Sequence, residues 1–274
     1  MNVRGRPARL DVWPAGAQRF IENAVISFRA LFRWFNPSAY IATKVVAPIE
    51  EMLVFGLLAR YAGGGVTVAY MLIGNCVVQV CLGGLAAANT VAEERGLGSL
   101  PLLLASPVNR FVNFLQRGMV HILDSLVSVI VAFVVATTIF HVAFGRANWA
   151  AVAAAVGVAT LSTVCLGLMF GALALAYSNF FLVLNLLWLM ILLVTGVNVP
   201  VSQLPGWLQP ISAGLPFTRS LHAARDAING APLAAVMVPL LGEVALAAGY
   251  LALGYAMLIA LERVAWRGGT FDLT

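Results

Sequence analysis

Long apolar runs broken by short polar stretches make up almost the whole chain. Crossing ~30 Å of hydrocarbon takes ~20 residues of helix, and six runs reach that length: about 38–59, 68–92, 118–140, 150–176, 180–199 and 233–261. They predict an all-α integral membrane fold of six transmembrane helices occupying 38–261. Residues 17–35 follow a different rhythm. At ~100° per residue, Ile21, Ala24, Val25, Phe28, Leu31, Phe32 and Phe35 share one helical face, with Arg19, Glu22, Asn23, Arg29 and Arg33 opposite. An amphipathic helix lying in the membrane interface is expected there, within an N-terminal cytosolic region 1–37. Residues 262–274 form a short cytosolic C-terminus. Glycine-rich 61–66 and the three residues 177–179 are tight connections, so spans one and two, and four and five, are expected as antiparallel pairs. The longer connections are 93–117 and 200–232.

Composition excludes most other classes. The chain is 61% apolar and 10% charged, against about 45–50% and about 25% in soluble domains, so disorder, collagen and a soluble enzyme core are ruled out. Its net charge of +5 comes from arginine, Lys44 being the only lysine. With the N-terminus inside, eleven arginines fall on the cytoplasmic side (Arg4, Arg6, Arg9, Arg19, Arg29, Arg33, Arg95, Arg110, Arg117, Arg263 and Arg267). Four fall outside (Arg60, Arg146, Arg219 and Arg225). The positive-inside rule therefore places both termini in the cytoplasm, 93–117 inside and 200–232 outside. Such charge speaks for headgroup contact rather than nucleic acid. No cleaved signal peptide is expected. Cys76, Cys81 and Cys165 lie within spans and read as small core residues. His121, His141 and His222 are scattered, so neither a metal site nor a catalytic constellation is expected.

The 93–110 connection has the build of a docking element. It carries charges at Glu93, Glu94 and Arg95, then a glycine and a hydroxyl residue at Gly98 and Ser99, then a leucine-rich run closed by Ser106-Pro107. Ser99 can cap a short helix that Pro107 limits, and its leucines can press on another protein or on the bilayer. This segment resembles the cytosolic motif of the ABC-2 family of bacterial ABC exporter permeases, roughly E-R-E-x-G-T-L-E-x-L-L-x-[ST]-P. Glu94, Arg95, Gly98, Ser99, Leu100, Leu103, Leu104, Ser106 and Pro107 match it. Gly96 and Pro101 depart from it, each standing where an acidic residue is usual. The resemblance extends over essentially the whole chain: the amphipathic N-terminal helix, Pro48 early in the first span, six spans, and a proline-containing external segment before the last. It implies that 93–108 is a coupling helix receiving the stroke of a separate ATP-binding subunit, present in two copies. It also implies a second permease chain, identical or different, in a bacterial inner membrane. ATP and Mg²⁺ would be held by the partner, for no Walker A loop surrounds Lys44 and no cofactor is expected in this chain.

Two further regions invite a role. In 200–232, Pro200, Pro205, Pro210 and Pro216 interrupt any single helix, while Trp207 and Phe217 suit the bilayer interface. Two short helices dipping back from the outside, beside an exit route, are expected, as the resemblance also implies; a plain amphipathic loop is the alternative. Charges within spans cost about 2.5–3.5 kcal/mol each, which singles out Lys44, Glu50 and Glu51 in the first span. With Asn75 and Gln79 of the second, they line a pathway for a cationic amphiphile or serve as structural pairs between helices. His121, Asp124 and Glu243 are read in the same two ways. Gly167 and Gly171 form a GxxxG that permits close helix approach.

The chain thus reads as the non-catalytic membrane subunit of an exporter working by alternating access. The stretch before the first span, FRALFRWFNPSAYIATK, lacks the Arg-Tyr-rich motif of polysaccharide exporters, which favours the drug and antibiotic branch similar to daunorubicin-resistance permeases. A lipid-linked polysaccharide exporter is the alternative within the family. A proton-coupled secondary transporter using Glu50 or Glu51 is the alternative outside it.

Overall fold

The computed structural model describes residues 37–61, 67–173 except 97–109, and 180–268, with the side chains of 37, 89–96, 110–120, 122–123 and 261–268 outside that description. The predicted interfacial helix at 17–35 and the motif residues Gly98 to Pro107 lie outside the described residues.

Among the described residues every regular element is helical. The first predicted span is α1 (Pro37–Ile41), a π-helical turn (Ala42–Val46) and α2 (Ala47–Tyr61), continuous in backbone. Pro48 explains the widened turn. It has no N–H for the carbonyl of Lys44 and its ring crowds that carbonyl. The preceding residue, Ala47, instead bonds five residues back, to the carbonyl of Ala42. Then come α3 (Val68–Gly96), α4 (Arg110–Thr138), α5 (Trp149–Leu173), α6 (Phe180–Val194), a 3₁₀ turn (Val201–Gln203), the short α7 (Gln209–Gly214) and α8 (Thr218–Ile228), and α9 (Leu233–Gly268).

Three stretches among the described residues are both long and apolar enough to span a bilayer: Val68–Ala88, Trp149–Leu173 and Leu233–Ala260. Asp124–Thr138 and Phe180–Val194 are shorter apolar stretches. Their packing is inside-out relative to a soluble bundle. On α4, Asp124, Ser125 and Ser128 are buried, whereas Ile130 and Val134 are 63% and 53% exposed. On α6, Phe181, Leu182, Leu186, Leu189 and Leu193 face outwards. Apolar side chains gain nothing by leaving lipid, so polar groups take the interior where they find partners.

The centre is α3, whose residues 71–81 are all buried. It packs on α4 and α5, and α5 packs in turn on α8 and α9. Small residues allow these contacts. A Cβ on Gly167 would collide with the carbonyl of Gly84 on α3, so the first glycine of the GxxxG does bring two backbones together. Gly84 itself faces Thr163, and Gly254 of α9 sits on the Cα of Met169. Buried Thr160 and Thr163 return their hydroxyl protons to the carbonyls of Val156 and Ala159, at 2.7 and 2.9 Å.

Two expectations need correction. The apolar run 180–199 is not one helix, for α6 ends at Val194 and the chain turns through Gly196 at φ +87°. Nor does α6 lie along α5 as an antiparallel pair: it leans on α3 and α7. A short connection limits how far apart two helix ends lie, not the angle between the axes, and the freed carbonyls of 196–197 are engaged by α8.

Candidate functional site

Two polar systems lie within the helical bundle. The first joins α1–α2 to α3 and α4. The π-helical turn carries Lys44, whose Nζ meets Oδ2 of Asp124 on α4 at 2.5 Å, with side chains 16% and 7% exposed. A buried ion pair survives where the mutual attraction offsets the desolvation of both partners. Two turns along, Glu51 Oε2 accepts a hydrogen bond from Nε2 of Gln79 at 2.9 Å. Gln79 also donates to the carbonyl of Asn75 at 3.4 Å. Asn75 donates to the carbonyl of Met71 and to Oδ1 of Asn198, both at 2.8 Å. The result is a polar ladder along the seam between α2 and α3, ending at the non-helical stretch after α6.

The second system fixes α8. Its N-terminus meets Glu243 of α9, a fully buried carboxylate that accepts from the backbone N–H groups of Phe217 and Arg219, at 2.5 and 3.2 Å. Orphan N–H groups and the positive end of the helix dipole supply what a lysine would otherwise provide. Near its other end Arg225, 7% exposed, donates to the carbonyls of Gly196 and Val197, each at 2.9 Å, and of Tyr70 at 3.2 Å. The Tyr70 ring lies 3.5 Å beneath its guanidinium, and the Tyr70 hydroxyl donates to the same Gly196 carbonyl at 2.9 Å. Irregular backbone at 195–200 is thus held by donors from α3 and α8, the condition for such backbone at membrane depth.

The structure brings Glu51, Asn75 and Gln79 together on one seam and places Lys44 beside it, engaged by Asp124. Glu50 is apart from them. It faces outwards, in a stripe with exposed Val46, Val54 and Leu57. Glu93, Glu94 and Arg95 fall in the last helical turns of α3, at the end leading to the motif. Pro205 is exposed and Trp207 is 70% exposed, while Pro216 is buried. Phe217, expected at the bilayer interface, is fully buried with φ +85°. Its backbone N–H must face Glu243, and that turn carries the ring inwards. Arg225 falls among the external arginines of the positive-inside topology, and its part as a carbonyl clamp has no local sequence signature. The one available hint was a run of helix formers after Pro216 with an arginine one turn from its end.

Residues 23–229 match the family model of the ABC-2 type transporter, about three quarters of the chain, and the chain belongs to that family. It is a multi-pass membrane protein. Two relatives from Mycobacterium tuberculosis, strains CDC 1551 / Oshkosh and ATCC 25618 / H37Rv, are each named probable doxorubicin resistance ABC transporter permease protein DrrC. Each is 26% identical over 266 residues, covering 91% of this chain and 94% of the relative. The match runs through the π-helical turn, the α2–α3 seam and α8.

Proposed function

We propose that the chain is the membrane-spanning subunit of an ATP-driven exporter that moves hydrophobic or amphiphilic, drug-like molecules out of a bacterial cell. The family assignment and the name of the Mycobacterium relatives support this reading, together with the 93–108 motif. In it, six spans cross the membrane with both termini inside. Residues 93–108 receive the motion of two cytosolic ATPases, which hold ATP and Mg²⁺. The segment 200–232 lies at the outer leaflet as a re-entrant pair beside the exit, and Lys44, Glu50, Glu51, Asn75 and Gln79 border the path. A second permease chain completes the pathway. The outward stripe of α2 supports such a partner, since Glu50 stands there among Val46, Val54 and Leu57 and a charge facing lipid is costly.

The test is reconstitution. Affinity-tagged chain isolated from its native membrane brings with it a soluble subunit bearing a P-loop, and proteoliposomes of that complex export an amphiphile only with ATP and Mg²⁺. Substituting Leu103 and Leu104 by Asp abolishes both the association and the transport. Transport driven by a proton gradient without nucleotide, and lost in Glu50→Gln, would establish the secondary-transporter reading instead.

A further inference from the structure

The seam between α2 and α3 holds more hydrogen-bond acceptors than donors. Oε1 of Glu51, Oε1 of Gln79 and Oδ1 of Asn75 are all buried and none has a partner. Gln79 and Asn75 are 1% and 0% exposed. Their own amide protons are engaged elsewhere, on Glu51, on backbone carbonyls and on Asn198. Leaving a buried polar group unsatisfied costs about 1–3 kcal/mol, so three on one seam are a standing deficit. The deficit has a sign. All three are oxygens, one belongs to a carboxylate, and among the described residues no basic side chain pairs with it. Lys44 is held by Asp124 and Arg225 by the carbonyls of Gly196 and Val197.

Resting on the exporter reading above, we infer that Glu51, Gln79 and Asn75 form the recognition site for a protonated primary amine on the transported amphiphile. An –NH₃⁺ group brings one positive charge and three N–H donors. Gln79 and Asn75 are one helical turn apart on the same face of α3, and Glu51 reaches Gln79 from α2. Ca²⁺ binds about six to eight oxygens and Mg²⁺ about six in octahedral array, at least twice what the seam offers. The surroundings suit the rest of such a molecule. Met52, Leu72, Cys76, Ala132 and Val135 form an apolar cluster with Phe140 packed on it, next to the acceptors. Movement of α2 would open the seam. Among the described residues its main packing on longer helices is against α3 and α4, and Val54, Leu57 and Leu58 face away from the bundle.

The experiment measures equilibrium binding of radiolabelled octylammonium to the full chain in lipid nanodiscs, with empty nanodiscs subtracted. Saturable binding is expected, weakening with each N-methyl group and at least tenfold weaker for octyltrimethylammonium, which has no N–H. Glu51→Gln weakens octylammonium binding at least tenfold, with elution profile unchanged and melting temperature no lower than wild type, and Gln79→Leu weakens it several-fold. The methylation series needs no variant, so a misfolded substitution does not leave the question open. Absence of saturable binding, a flat methylation series, or wild-type affinity in Glu51→Gln overturns the inference, as does equal displacement by Na⁺. ATP-dependent export of an uncharged amphiphile by the complex is scored separately. If it persists while the ammonium site fails, the exporter reading stands and only the site is lost.

Discussion

The α8 anchor and the α2–α3 seam each place charge among apolar helices, and they solve that problem differently. At α8 the carboxylate is fully matched, and the buried atoms left without a partner, Nε of Arg225, Nη1 of Arg219 and Oγ of Ser220, include no carboxylate or carbonyl oxygen. Both oxygens of Glu243 receive backbone N–H groups and both terminal nitrogens of Arg225 reach carbonyls. At the seam one carboxylate oxygen and two amide oxygens have no donor. A saturated buried charge behaves as part of the scaffold, whereas one with spare capacity retains interaction energy for something that comes and goes. Charge within a span therefore says little by itself. The state of its partners separates anchor from site.

That contrast is broken most directly at Arg225. In Arg225→Leu the carbonyls of Gly196 and Val197 lose their donors and the Tyr70 ring loses its cation. Hydrogen bonds to charged groups are worth about 1.5–3 kcal/mol each, so a destabilisation of about 3–5 kcal/mol is expected. It is measurable as a fall in melting temperature on the order of 10 °C in the purified chain. Arg225→Lys keeps the charge but offers no planar fork, and recovers less than half of the loss. A melting temperature unchanged in Arg225→Leu would mean that α8 is not anchored as described.

Next in size is the ion pair at the π-helical turn. Lys44→Met leaves Asp124 as an uncompensated carboxylate, 7% exposed. Breaking a buried pair typically costs about 3–5 kcal/mol, reduced here to about 2–4 kcal/mol by the 16% exposure of Lys44. The double variant Lys44→Met/Asp124→Asn recovers at least half, because the penalty lies in the orphaned charge rather than in the lost contact. Thermal unfolding of the two variants side by side gives the answer, and equal loss in both would assign the pair no electrostatic role. A smaller effect is expected at the neutral interface between α3 and α5. Gly167→Ala drives a methyl into the carbonyl of Gly84 and costs about 1–3 kcal/mol, read from the same melting curve.

How far these regions could be foreseen differs for physical reasons. Apolar run length located α3, α5 and α9 to within a few residues at their N-terminal ends, since a bilayer fixes span length directly. The same signal failed at 195–199. Hydropathy reports immersion in lipid and is silent on whether the backbone stays helical, which here turns on a guanidinium from a residue 28 or 29 positions further on. Pro48 was legible only as a proline early in the first span, and the π turn it causes at Ala42–Val46 was not. Lys44, Glu51, Asn75 and Gln79 stood out because polar groups are rare in spans. Their pairing did not, because Asp124 and Asn198 come from other helices or their ends. Phe217 is buried rather than interfacial because backbone direction, which aromatic character does not report, turns its ring inwards.

The last prediction, smallest in stability, sharpens the comparison most. Glu243→Gln and Glu51→Gln are the same chemical change at two carboxylates. At Glu243 the amide keeps one acceptor and presents an NH₂ group to a backbone N–H, so about 1–2 kcal/mol is lost. At Glu51 the retained carbonyl still accepts from Gln79, while the new NH₂ can donate to the unpartnered Oε1 of Gln79. A charge is removed and an orphan acceptor gains a donor, so the melting temperature should hold or rise, within about 1 kcal/mol of wild type. If Glu51→Gln instead falls as far as Glu243→Gln, the seam is a scaffold element like the α8 anchor, and its free oxygens hold no reserve for a ligand.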